Sequence, residues 1–131
     1  MGNISEVVKQ SASKYQKDPT KMLDVIRDVQ AELGQVSNAA IAEIAKEMNV
    51  SSVDVEGVVT FYHFFSKEPV GKYAVYLNNS AVAVMMGCYE IARAFEKEVG
   101  CKFGEVSSDG KLGLHYTSDI GMNDQEPAAI I

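Results

Sequence analysis

Four candidate oxygen ligands lie within eight residues near the end of the sequence: Asp119, Asn123, Asp124 and Glu126. Carboxylates and amides at that density could hold a hard cation such as calcium. An EF-hand loop, however, needs alternating ligands, a glycine at its sixth position and a closing glutamate. This spacing has none of that order, so the segment reads as a solvated or partner-facing acidic loop and no metal is expected. The two histidines are as unpromising: His63 lies inside the aromatic run Phe61-Tyr62-His63-Phe64-Phe65, and His115 falls on the outward face of a candidate strand. Neither has a partner at a spacing that acid–base catalysis uses. Cys88 and Cys101 are too few for a disulfide framework, and their separation fits no common zinc motif. HExxH, GxSxG, GxGxxG and the phosphate-binding glycine loop are all missing from the sequence, so no catalytic residue is expected.

Composition narrows the partners. The 131 residues carry a formal charge of −6, with 47% hydrophobic and 23% charged side chains, which is ordinary for a chain that folds. Residues 1–70 hold seven basic against ten acidic side chains and residues 71–131 five against eight. Neither half attracts a phosphate backbone or an anionic membrane, so nucleic acid is not expected as a partner. No apolar run is long enough to span a bilayer. The opening MGNISEVVKQSASKYQKD lacks a secretory core, and Glu6 spoils the myristoylation pattern, so a cytoplasmic protein is expected.

The elements follow from caps and periodicity. Asp18-Pro19 opens a helix whose stripe is Met22, Val25, Ile26, Val29 and Leu33, closed by Gly34. Ser37 caps a second, with Ile41, Ile44, Ala45 and Met48, ending at Asn49; Ser51 with Asp54 opens a third through Val55, Val58, Val59 and Tyr62. SKEPVG at 66–71 divides this lobe from the next, giving expected domains 1–68 and 69–131. Lys72–Leu77 reads as a strand, and residues 82–99 as one helix with Val84, Cys88, Ile91, Ala92, Phe95 and Val99 on its buried stripe, which puts Cys88 in mid-helix. After a turn at 107–110, the alternation of Leu112, Leu114 and Tyr116 predicts a half-buried strand, and the final apolar run could begin another. The aromatic run 61–65 is read as a core joining the lobes, with an interface patch as the other account.

Taken in order, these segments resemble the family of the small iron–sulfur subunit of NADH:quinone oxidoreductase and its relatives in NAD-reducing hydrogenases and formate dehydrogenases. VDVEGVVTFYHFF at 53–65 carries the resemblance best, supported by ELG at 32–34, GKY at 71–73, Gly87, the turn from Gly104 to Gly110, and the pattern from Ile120 to Pro127. The resemblance implies an α+β chain: an N-terminal helical bundle followed by a thioredoxin-like α/β domain. The family continues past the point where this sequence stops, so that domain is expected to be partial, either a piece of a longer polypeptide or an abbreviated form. Its sheet edge would then be open to self-association.

Family members hold a [2Fe-2S] cluster with two cysteine pairs. The resemblance lays those positions on Asn78 and Ala83, and on Asp119 and Asn123. Cluster binding needs soft thiolate sulfur, which none of these supplies, so no cofactor is expected in this chain. GMNDQEP at 121–127 resembles the loop of cluster-less versions found beside flavin-bearing, NADH-oxidising polypeptides. The implied role is a non-catalytic docking domain of an NADH-oxidising diaphorase module. Its partner would be a subunit or domain that binds FMN and NAD, and its contact surface the loops 78–83 and 119–124. Two other readings stand beside it. Residues 39–59 look like a helix-turn-helix, although the second helix has Asp54 and Glu56 and no Arg or Lys. A thioredoxin-like thiol enzyme would need a CxxC that is missing.

Overall fold

In the computed structural model, which describes residues 3–131, the chain is α+β and divides into two compact units, Met1–Pro69 and Val70–Ile131. The first is all helix: α1 (Ile4–Lys14), α2 (Met22–Leu33), α3 (Asn38–Met48) and α4 (Ser52–Phe61). The caps act as read. Asp18 accepts from the Thr20 N–H and starts a 3-10 turn leading into α2, Gly34 closes α2 at φ +73°, and Ser37 and Ser51 accept from Ala40 and Val53 N–H groups. Asn49 ends α3 in the left-handed conformation, the conformation its short polar side chain tolerates best after glycine. The stripes meet in one core that includes Val25, Ile26, Val29, Ile41, Ile44 and Met48, all buried.

Sequence reasoning left α1 out. Asn3 caps it through a bond from the Ser5 N–H, and Val8 and Ala12, one turn apart, insert into the same core. On the surface Lys14 Nζ and Tyr15 Oη donate to Asp28 Oδ2 at 2.7 and 3.0 Å, and Arg27 donates to Oδ1 at 3.3 Å. The Lys14 ammonium foremost, with help from Tyr15 and Arg27, holds the Asp28 carboxyl below its ordinary value of 3.8. A carboxylate depressed in the fold adds stability above the unfolded pKa and loses it as pH falls through the folded one. Because Lys14 is largely exposed, the gain is small. Asp28→Asn should therefore lower the urea midpoint modestly at about pH 6, with the difference from the parent shrinking as pH falls below the ordinary carboxylate range.

The second unit contains β1 (Tyr73–Asn78), α5 (Ala81–Met85), α6 (Cys88–Val99), β2 (Leu112–Thr117) and β3 (Ala129–Ile130). The sheet order is β2-β1-β3. β1 and β2 run parallel, registered Tyr73 to Leu112 through Asn78 to Thr117, and β3 lies antiparallel on the other side of β1. Parallel pairing demands a crossover, which α5 and α6 provide. The outer edge of β2 is covered by residues 104–107, through Gly104 N–H to Leu114 O at 2.7 Å and Ser107 N–H to Leu112 O at 2.7 Å. Val70 passes so close to β2 that a Cβ on Gly113 would overlap the Val70 carbonyl, standing 2.9 Å from its carbon. Among the described residues no helix is long and apolar enough to cross a membrane.

One expected helix is two. The apolar spacing continues through residues 82–99, but α5 stops at Met85 and Gly87, at φ +91°, breaks the helical path, so α6 starts afresh at Cys88. Cys88 is thus the first residue of a helix and not mid-helix, which corrects the sequence reading.

Candidate functional site

Because β1 and β2 are parallel neighbours, the loops that follow them leave from the same end of the sheet. Asn78 is registered with Thr117, and the Asn79 N–H donates to the Thr117 carbonyl at 3.1 Å. Residues 79–80 and 118–128 therefore share that end, the position where open α/β sheets place their sites. Of the four residues singled out by the resemblance, Asn78 ends β1, Ala83 lies in α5 between the strands, and Asp119 and Asn123 belong to the second segment.

They are not equally presented. Asn78 is fully buried, and its amide nitrogen donates to Glu126 Oε1 while its Oδ1 accepts from the Ser80 N–H at 2.8 Å. Ala83 is fully buried in α5 and carries no donor atom. Asp119 and Asn123 are exposed and bonded to each other: Asn123 Nδ2 donates to Asp119 Oδ2 at 2.9 Å, and the Gly121 N–H donates to Oδ1 at 2.7 Å. The Gly121 backbone bond first, then Asn123, lowers the Asp119 pKa. Asp119, Asn123 and Asp124 thus present polar side chains to solvent, whereas Asn78 and Ala83 face inward.

The oxygen quartet is divided too. Glu126 is only 7% exposed and turns away from Asp119, Asn123 and Asp124, because its Oε1 meets Asn78 and its Oε2 accepts from the Ala128 N–H at 2.8 Å. Among the described residues no group of three or more His, Cys, Asp or Glu side chains is placed to hold a metal. Ser80 Oγ, in the same neighbourhood, is buried without a hydrogen-bond partner.

The remaining candidates lack activation. A helix N-terminus lowers a thiol pKa when the thiol is accessible, but Cys88 is fully buried; burial first, and the Glu126 charge second, push its pKa up. Burial, with Glu105 and Glu96, also raises Cys101. The two thiols lie at opposite ends of α6, about 20 Å apart along its axis, too far to share one centre. His115 Nε2 lies 3.2 Å from the Val70 carbonyl and its ring is 5.5 Å from Tyr76, a packed position. In the aromatic run Phe61 is 79% exposed, Tyr62, His63 and Phe64 are exposed, and Phe65 packs against the helical core. The exposed side of α4 shows Val53, Asp54 and Glu56, a poor match for a nucleic-acid groove.

Sequence reasoning missed an apolar patch. Val82, Val84, Met85 and Met86 are exposed, Met85 at 85%, and Tyr89 follows on α6. A five-residue helix that turns Ala83 inward cannot also bury its other faces, and the run AVAVMM was the available signal. Exposed clusters of this kind mark interaction surfaces, and methionine suits them because its side chain adapts.

The model of the family described as thioredoxin-like [2Fe-2S] ferredoxin matches residues 8–131. The chain is 39% identical over 118 residues to the NAD-reducing hydrogenase HoxS subunit alpha of Cupriavidus necator, covering 90% of this chain and 20% of that subunit. It is 30% identical over 126 residues to an NADH-quinone oxidoreductase subunit of Salmonella typhimurium, covering 96% of this chain and 76% of that one. Its fold matches a crystal structure of an NAD+-reducing [NiFe]-hydrogenase in the air-oxidized state with a TM-score of 0.70 at 21% identity, over 88% of this chain and 20% of the other. The chain thus spans about a fifth of the hydrogenase subunit it matches.

Proposed function

Since this chain belongs to the thioredoxin-like [2Fe-2S] ferredoxin family, we propose that it acts without a cluster, as a non-catalytic docking domain of a cytoplasmic NADH-oxidising diaphorase module. Its partner is a subunit or domain that carries FMN and binds NAD. The names of its relatives, a subunit of an NAD-reducing hydrogenase and a subunit of NADH-quinone oxidoreductase, support the setting. One observation carries the cluster-less part. The positions that the resemblance assigns to the cluster ligands offer no thiolate, Ala83 offers no donor atom, and the side chains of Asn78, Asp119 and Asn123 are engaged in internal hydrogen bonds. The donor set does not fit a [2Fe-2S] group, and no electron passes through this chain.

The docking face combines the exposed loop 119–124 with the apolar side chains of α5. Apolar area at the centre and a polar rim is how specific interfaces are built. The tagged chain, passed through soluble extract of its source cell at two salt concentrations, is expected to retain a protein with flavin fluorescence and NADH-dependent dye reduction. Met85→Asp with Met86→Asp should cut that retained activity at least tenfold, since desolvating two carboxylates in an interface is costly. Recovery of no flavin, or undiminished recovery with the double variant, would refute the partner or the face respectively.

A further inference from the structure

Glu126 is a charge without a counter-charge. Among the described residues no Lys or Arg pairs with it, and its two oxygens are met by neutral donors, the Asn78 amide and the Ala128 N–H. The Asn78 backbone N–H donates in turn to the Ala128 carbonyl at 3.1 Å, so two of these bonds tie the end of β1 to the segment 126–128 and the third, from the Ala128 N–H to Glu126, fixes that segment on itself. Burial of a carboxylate is costly unless its lone pairs are met, and here the fold meets them by placing an amide at position 78.

We propose that Glu126 has two coupled roles: with Asn78 it braces the two loops, and its charge makes the site refuse an iron–sulfur cluster even when thiolates are supplied. The inference rests on the reading above that positions 78, 83, 119 and 123 correspond to cluster ligands. A thiolate at position 78 would replace the amide donor with a second negative charge, one hydrogen bond from Glu126. A [2Fe-2S] centre held by four thiolates is itself an anion, and like charges buried together disfavour ionisation of both. Neutralising Glu126, without changing its size, removes that conflict.

The test compares two versions of the full chain, both carrying Asn78→Cys, Ala83→Cys, Asp119→Cys and Asn123→Cys, one of them with Glu126→Gln added. Each is reconstituted anaerobically with ferrous iron and sulfide, then assayed for bound iron and sulfide, visible charge-transfer absorption and the paramagnetic signal of the reduced cluster. The version retaining Glu126 is expected to load at least tenfold less. Equal loading overturns the proposal. Loading in neither sinks the correspondence of the four positions and the proposal with it, while retention of flavin by the native chain remains the separate test of docking. Should either version fail to fold, the native chain answers through Asn78→Asp. That change should lower the urea midpoint sharply at neutral pH, and adding Glu126→Gln should restore most of the loss. No restoration would overturn the proposal.

Discussion

Gly113→Ala should destabilise the α/β unit by about 3 kcal/mol, with loss of hydrogen-exchange protection along β1 and β2 and none in the helices of residues 4–61. The added methyl has nowhere to go. It meets the Val70 carbonyl group, which is backbone, and the next residue, Gly71, is as close, since an added Cβ there would stand 2.8 Å from the Gly113 nitrogen. Overpacking against flexible side chains typically costs about 1–3 kcal/mol, and displacing a strand crossing falls at the top of that range. A side chain that swings aside could relieve the 2.6 Å approach to His115 Nε2, but not the approach to Val70. A variant within about 0.5 kcal/mol of the parent would mean that residues 70–72 shift freely, and that this crossing contributes little.

The second large effect lies in the helical unit. Ile44 is fully buried among Val8, Val25, Ile26, Val29, Ile41 and Met48. Ile44→Ala removes three carbons and leaves a cavity, a change that costs about 2–5 kcal/mol in well-packed cores. A unit of this size has little stability in reserve, so the expected result is a urea midpoint lowered by a third or more, with collapse of amide protection in α2 and α3 before that in β1. Retained protection in α3 at the parent's level would show that neighbouring helices close over the gap.

Some of this was legible in the sequence because it is local. α2 and α3 carry apolar stripes between unambiguous caps, and their bounds follow. The strands β1 and β2 follow from β-branched and aromatic content and from alternation. The split at Gly87 was hidden because Val84, Cys88 and Ile91 keep helical spacing across it, and spacing does not report that a glycine has crossed to positive φ. α1 went unread although Ile4, Val7, Val8, Ala12 and Tyr15 recur at helical spacing and sit in or against the core, because Ser11 interrupts that stripe and only Val8 and Ala12 of it are fully buried. The aromatic run 61–65 shows the converse: composition identifies large apolar side chains but not whether they face in or out.

The site was legible by resemblance but not in its burial. Asn78 and Asn123 are the same residue type and the resemblance gives them the same role, yet one is sealed and the other exposed. The difference is set by Glu126, forty-eight residues from Asn78. Counting oxygen donors grouped Glu126 with its sequence neighbours; only the pairing of β3 with β1, which carries Ala128 and hence Glu126 under the end of the strand, separates them. Burial of a charged group is a tertiary property, decided by which donors arrive from elsewhere in the chain.

The strand order has a consequence for synthesis. β1 is the middle strand, and both of its neighbours come later in the chain, at residues 112–117 and 129–130. On the ribosome the helical unit is complete in sequence before β1 has emerged, whereas β1 must wait about forty residues for its first partner, a delay of several seconds at ordinary elongation rates. Throughout that wait Val75 and Leu77, buried in the finished sheet, have no strand to pack with. The nascent chain therefore passes through a stage with one finished half and one sticky, unpaired strand, the stage at which a chaperone or an early-binding partner has most to protect.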